Sequence, residues 1–304
     1  MNKQHTIIVL AGPTAVGKTA LAIQLAQYFN TSIINADSRQ CYKELNIGVA
    51  KPGNAELQLV KHFFVDTFSV QENITAATFE NYSLKWLDEI FKTNKVAIVA
   101  GGTGLYIKAL CEGLDEVPLV EEEVRKKIIT AYEQKGLQWL QETVAKEDGL
   151  FWLQGEIQNP QRLMRALEVK RATGKSIVSF KTGIKKERPF NIIKIGLGLP
   201  REILNNRINQ RVDAMLDAGL LNEVQSLQPF RNLNALQTVG YAELFDYLDG
   251  KTNYAKAIEL IKTHTRQYAK RQMTWFKKDG AYQWYAPDQL QEIIAYLDNR
   301  FLIN

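Results

Sequence analysis

The chain has 304 residues, enough for one large domain or two modest ones that bury a core without disulfide or metal staples. Hydrophobic residues at 45% and charged residues at 23% exclude wholesale disorder, and 38 Lys plus Arg against 33 Asp plus Glu gives +5, which permits an anionic partner without requiring one. Two cysteines, Cys41 and Cys111, and three histidines are too few for a disulfide scaffold or a Cys₂His₂-rich module, so a reducing, cytoplasmic setting is expected.

Residues 6–10 form a short, β-rich apolar run. Lys3 ahead of it resembles the start of a signal peptide, but the run is too short and leads into a Gly-rich turn, so a buried first strand is predicted. The longest uncharged stretches, 6–17 and 96–107, fall short of the ~18 apolar residues a span needs, so no membrane segment is expected.

Gly12-Pro13-Thr14-Ala15-Val16-Gly17-Lys18-Thr19 then fits G-x-x-x-x-G-K-[ST] in full. In such a loop the glycines let backbone N–H groups wrap a phosphate and Lys18 adds a mobile positive charge. The Thr19 hydroxyl can hold Mg²⁺, and the helix that follows points its positive end at the anion. Leu21, Ala22, Leu25, Ala26 and Phe29 place that helix at about 20–29.

A second strand is predicted at 32–34 and a third at 63–65, with a helix over 76–91. A buried strand at 95–99 ends in Ala100-Gly101-Gly102-Thr103-Gly104. That end carries no Walker-B acid, which weakens an ATPase reading. The acid nearest the loop is Asp37, just past the second strand. In an open parallel sheet ligands sit beyond the carboxyl ends of the strands, so Asp37 should lie near Lys18 and Thr19, either as a turn cap or in a role toward a second substrate.

From 118 to 188 the signals are helical. One more β-rich run follows at 192–197, then helices at 201–218, 241–248 and 254–277. The simplest architecture is α/β: a P-loop NTPase-like parallel sheet core (1–117 and 189–304) with a helical insertion domain (118–188) and a helical C-terminal part. Charge is segregated within the insertion. Residues 119–158 carry five basic and eight acidic residues, whereas 159–188 carry nine basic and two acidic, a net +7. Asn159 and Pro160 make an N-cap and first-turn pair, so Arg162 and Arg165 open the basic half beside a positive helix end suited to RNA backbone. Residues 251–278 are also +7, with Tyr268, Trp275 and Phe276 interleaved as base-stacking candidates or as a buried stripe. Arg207 and Arg211 stand at i and i+4 and can face one site.

Together with the loop, the runs Asp37-Ser38-Arg39-Gln40-Cys41-Tyr42, Ile47-Gly48-Val49-Ala50-Lys51-Pro52 and Gly101-Gly102-Thr103-Gly104-Leu105-Tyr106 resemble the tRNA dimethylallyltransferases, also called tRNA isopentenyltransferases. So do 159–169, which begins Asn159-Pro160-Gln161-Arg162-Leu163-Met164-Arg165, and 265–276, Thr265 to Phe276. The likeness spans nearly the whole chain and is to the bacterial type, without the cysteines of the zinc finger that eukaryotic relatives often add. It implies transfer of a dimethylallyl group from dimethylallyl diphosphate to N6 of the adenosine 3′-adjacent to the anticodon of tRNA. It also implies that the P-loop (Gly12, Pro13, Thr14, Ala15, Val16, Gly17, Lys18, Thr19) holds the donor's diphosphate rather than ATP. Asp37 is then the expected general base, Thr19 the Mg²⁺ ligand, and Arg211 the diphosphate ligand. Ser38, Arg39, Gln40, Thr103, Gln161, Arg162, Leu163, Met164 and Arg165 are expected at the tRNA, and a monomer is expected. Val49, where the family usually has Thr, His62-Phe63, where it often has His-His, and Ile74-Thr75, where it usually has Tyr-Ser, are departures. The competing reading is a P-loop kinase of a small metabolite, with Asp37 activating a hydroxyl; it leaves both +7 segments unexplained.

Overall fold

The structure, a computed structural model, describes residues 4–303; Lys3, the basic flank of the first strand, lies outside them. The chain divides into two compact units, Gly113–Lys186 and the remainder.

In chain order the first part of the larger unit is β1 (Thr6–Ala11), α1 (Lys18–Tyr28), β2 (Ile33–Asn35), α2 (Asn54–Leu59), β3 (His62–Phe63), α3 (Ala76–Phe91), β4 (Val96–Gly101) and α4 (Gly104–Glu112). The smaller unit carries α5 (Glu122–Glu147), α6 (Gly149–Gln154) and α7 (Pro160–Thr173). The larger unit resumes with β5 (Asn191–Leu197), α8 (Arg201–Asp217), α9 (Leu220–Ser226), α10 (Tyr241–Leu248), α11 (Tyr254–Lys277), β6 (Tyr282–Tyr285) and α12 (Leu290–Ile303).

The six strands form one all-parallel sheet in the order β3-β2-β4-β1-β5-β6. Every residue of β1 and β4 is buried, as expected for parallel strands covered on both faces. Ile7, Val9, Ala97 and Val99 face one core with Phe79, Leu110, Leu244 and Ile261. Ile8, Leu10, Ile98 and Ile195 face the other with Leu21, Leu25, Ile208 and Ile293. Both helical layers therefore hold the β1 end, and with it the phosphate loop, against a rigid sheet. Among the described residues no helix is long and apolar enough to cross a membrane.

The structure differs from expectation at several places. The third strand is His62–Phe63, not 63–65, because Phe64 turns into the left-handed region (φ 63°) and ends the pairing. The helices α2, α9 and α12 and the edge strand β6 were not predicted. Arg188, counted with the insertion's basic run, is buried in the larger unit. Its Nη2 donates to Glu80 Oε1 at 2.6 Å and to Ala109 O, and its Nε to Leu110 O, tying off the carbonyl end of α4.

The smaller unit is helical. It is built on α5, kinked at Gly136, and α7, around Ile128, Leu140, Val144, Phe151, Leu163 and Leu167. The Asn159 side chain accepts from Arg162 N and Pro160 opens α7.

Candidate active site

The loop after β1 and the start of α1 hold the first group of predicted residues. Ala15 and Gly17 both take left-handed backbone (φ 62° and 107°), which curls the loop back on itself. Lys18 Nζ donates to Pro13 O at 2.7 Å. Burial, opposed by Asp37 and reinforced by Arg211, pulls the Lys18 ammonium down to about 8. Thr19 faces the same cleft.

The second group sits where β2 and β4 end side by side. Gly101 passes so close to Ala36 that a Cβ there would stand 2.1 Å from Ala36 O, so only glycine fits. Asp37 Oδ1 accepts from Arg39 N (2.9 Å) and Gln40 N (3.3 Å), capping the following turn; among the described residues Oδ2 accepts no hydrogen bond. The turn-cap and substrate-facing readings of Asp37 are thus compatible, one oxygen for each. Ser38 N donates to Thr103 Oγ1 at 3.0 Å, while Thr103 O accepts from Tyr106 N at the start of α4. Gln40 is buried and spans Asn35 on one side and the carbonyls of Val49 and Ala50 on the other. Its side chain is committed to holding this wall.

Arg211 of α8 enters the cleft, its Nη2 3.5 Å from Ala50 O, and interacts electrostatically with Asp37 and Lys18. Arg207, one turn earlier, is exposed and donates to Val16 O from outside the loop, so the i, i+4 pair divides between cleft and rim.

These elements enclose a cleft of about 760 Å³ at the carboxyl ends of the strands, lined by the loop, Asp37, Ser38, Arg39, Arg211, Tyr268 and Arg271. An apolar stretch of Ile208, Val212, Met215, Val239 and Ile261 continues it. Three aromatic positions on α11 diverge. Phe276 is core, Trp275 is 40% exposed and packs over Gly104, and Tyr268 lines the cleft beneath Arg271, 5.8 Å from ring to guanidinium carbon. Burial, seconded by the nearby Asp37 charge, pushes the Tyr268 phenol up to about 12.

Gln272 was not singled out from the sequence. It is buried on α11, accepts from Thr14 N at 2.9 Å and donates to Gly102 O at 2.9 Å, bracing the phosphate loop against the end of β4. Its local signal is an amide on the apolar face of an amphipathic helix, where cations and aromatics dominate the pattern.

In the smaller unit Gln161 and Arg162 are exposed. Leu163 and Met164 are core residues, so they offer no side-chain surface to a ligand. Arg165 is 3.2 Å from the buried Glu168 carboxylate, which Arg125 also approaches at 3.8 Å. Arg171 forks onto Glu147. The free positive surface of α7 is therefore smaller than the net charge suggested. Among the described residues no cluster of three or more His, Cys, Asp and Glu could hold a metal.

The IPP transferase family profile matches residues 40–279. Among relatives, the tRNA dimethylallyltransferase of Cytophaga hutchinsonii is 47% identical over 96% of each chain. One from Bacteroides thetaiotaomicron is 46% identical over 96% of this chain and 95% of its own. The crystal structure of the tRNA isopentenylpyrophosphate transferase from Bacillus halodurans superposes with TM-score 0.72 at 31% identity, covering 97% and 96% of the two chains. A eukaryotic dimethylallyltransferase captured acting on tRNA gives TM-score 0.77 at 28% identity, covering 98% of this chain and 78% of its own.

Proposed function

Because the chain belongs to the IPP transferase family, we propose that it transfers a dimethylallyl group from dimethylallyl diphosphate to N6 of the adenosine 3′-adjacent to the anticodon of tRNA, releasing diphosphate. The observation that carries this reading is the convergence of Lys18, Arg211 and Asp37 on one cleft, beside a phosphate loop with no Walker-B acid at the end of β4.

The chemistry follows from charge. The exocyclic amine of adenine is a poor nucleophile and must shed a proton as its nitrogen bonds to the allylic carbon and the bond from that carbon to the diphosphate oxygen breaks. Asp37 Oδ2 receives that proton. Negative charge grows on the leaving diphosphate, and the loop amides, Lys18 and Arg211 neutralise it. The apolar stretch from Ile208 to Ile261 suits the five-carbon chain. Mg²⁺ would be held by the Thr19 hydroxyl and donor phosphate oxygens, a set consistent with its preference for oxygen ligands. Bound there, it would supply further charge neutralisation. Gln161, Arg162 and Arg165 would meet RNA backbone, and Ser38, Arg39 and Thr103 the target nucleotide's surroundings. Both cysteines are buried and free, in keeping with a cytoplasmic enzyme, and one chain supplies every group named, so a monomer suffices.

The test is incubation of the purified protein with dimethylallyl diphosphate and unmodified tRNA, followed by mass spectrometry of the nucleosides. A dimethylallyl adduct on the adenosine next to the anticodon is expected. Brisk ATP hydrolysis with no adduct would establish the kinase reading instead.

A further inference from the structure

Glu223 of α9 stands outside the cleft lining, yet its carboxylate collects four donors. Oε2 accepts from the backbone N–H of Asn46 (3.2 Å) and Ile47 (2.8 Å). Oε1 accepts from Gly48 N–H (3.0 Å) and from the Tyr241 hydroxyl (2.6 Å). Three successive amides turned onto one anion make the concave donor array that proteins commonly offer to a bound anion. Here the chain's own side chain fills it. Tyr241 is fully buried, and its ring lies so near Gly48 that a Cβ at that position would stand 2.6 Å from it. Ring and hydroxyl therefore seat the same turn.

That turn is a wall of the cleft, to which Gly48 and Val49 contribute. The carbonyls of Val49 and Ala50 each accept from Gln40 Nε2 at 3.0 Å, and the Ala50 carbonyl also receives Arg211. Gln40 N in turn donates to Asp37 Oδ1. Ala50 holds a left-handed conformation (φ 45°), which costs energy for a residue with a Cβ and so needs external support. The contacts run from Glu223 through residues 46–50 to Gln40 and Arg211 and then to Asp37, without passing through the phosphate loop.

We propose that Glu223, seconded by Tyr241, is a positioning residue for the transfer step: it fixes the turn at 46–50 so that Arg211 and Asp37 keep their places around the reacting groups. The inference rests on the functional reading above. Glutamine cannot replace this carboxylate, since it offers one acceptor oxygen and turns an NH₂ toward N–H donors. Aspartate keeps both oxygens and should retain more of the function.

The experiment compares parent, Glu223→Gln, Glu223→Asp and Tyr241→Phe proteins in single-turnover transfer with saturating donor and tRNA, alongside donor affinity, tRNA affinity and amide exchange. Displacement of about 1 Å by a remote change costs up to ~10²-fold in rate, so E223Q should slow transfer by roughly 10–100-fold, with Y241F and E223D between it and the parent. Both affinities should stay within about threefold. The amides of Ile47 and Gly48 should exchange faster while those of β1 do not, a local signature that general destabilisation would not give. A folded E223Q that transfers within twofold of the parent would overturn the inference, as would one that loses donor affinity with its rate intact. If E223Q does not fold, the same criteria apply to Y241F, whose ring packing is unchanged. A parent without transferase activity would overturn the functional reading and this inference together; an active parent with an unimpaired variant overturns the inference alone.

Discussion

Asp37 gives one carboxylate oxygen to capping the turn at Arg39 and Gln40 and, among the described residues, leaves the other as the proposed proton acceptor. Replacing it with alanine removes the proposed proton acceptor, and loss of a general base typically costs about 10²–10⁴ in rate. Asp37→Ala should abolish measurable transfer while leaving tRNA affinity within a few-fold; single-turnover assays and filter binding check the two halves. Lys18 makes a prediction of a different kind. Its ammonium, lowered to about 8 mainly by burial, is charged below that pH and progressively neutral above it. A diphosphate stabilises the charged form, so donor affinity should be full below pH 8 and fall by up to about tenfold per pH unit above it. Calorimetric titration between pH 7 and 9.5 measures this, and Lys18→Met should weaken binding and erase the slope. The sign for folding is opposite. Between the lowered value and the ordinary 10.5 the unfolded chain holds the extra proton, so this group makes the ligand-free protein more stable as pH rises through that interval. Asp37 was legible because a lone acid just past a parallel strand has few places to go. Gln272 was not, because its worth comes from Thr14 and Gly102, which no local pattern places beside it.

At the scale of elements, β1, β4 and β5 were readable because strands buried on both faces are continuous apolar runs, and α3, α8 and α11 because their stripes are long. The strand β6 was hidden. Tyr282, Gln283, Trp284 and Tyr285 acquire strand geometry only by pairing with Lys194 to Leu197 across the sheet. The helix α7 shows how a correct boundary can carry a mistaken surface. Its cap and first turn lie as the sequence implied, but Leu163 and Met164 close the small unit's core and Arg165 is engaged by Glu168. The two arginines should therefore separate on mutation. Arg162→Ala should lower the salt slope of tRNA binding by about one unit, with thermal stability unchanged. Arg165→Ala should weaken tRNA binding too, but also lower the melting temperature, because it strips a partner from the buried Glu168 carboxylate. Salt-dependent binding isotherms paired with thermal melts distinguish them. An unchanged slope in a well-folded R162A would move the RNA to the basic face of α11.

For the molecule as a whole, the ion pair of Arg188 with Glu80 is a joint of the larger unit, set where the chain returns from the insertion and begins β5. Both partners are buried, and the guanidinium also satisfies the last carbonyls of α4. Removing one member of such a pair leaves an uncompensated buried charge, so Arg188→Ala should cost about 3–5 kcal/mol. Denaturant unfolding followed by the larger unit's tryptophan fluorescence measures it, and a loss below 1 kcal/mol would show that the joint is dispensable. The bond from Thr14 to Gln272 spans 258 residues, and it has a meaning in time as well as in space. A ribosome makes the whole G-x-x-x-x-G-K-[ST] loop by residue 19, but the side chain that braces it comes more than 250 residues later. The loop is thus braced only after β1 to β5 and the whole of the insertion have been made. A nascent chain therefore carries the complete motif long before it carries the residue that holds that motif in shape.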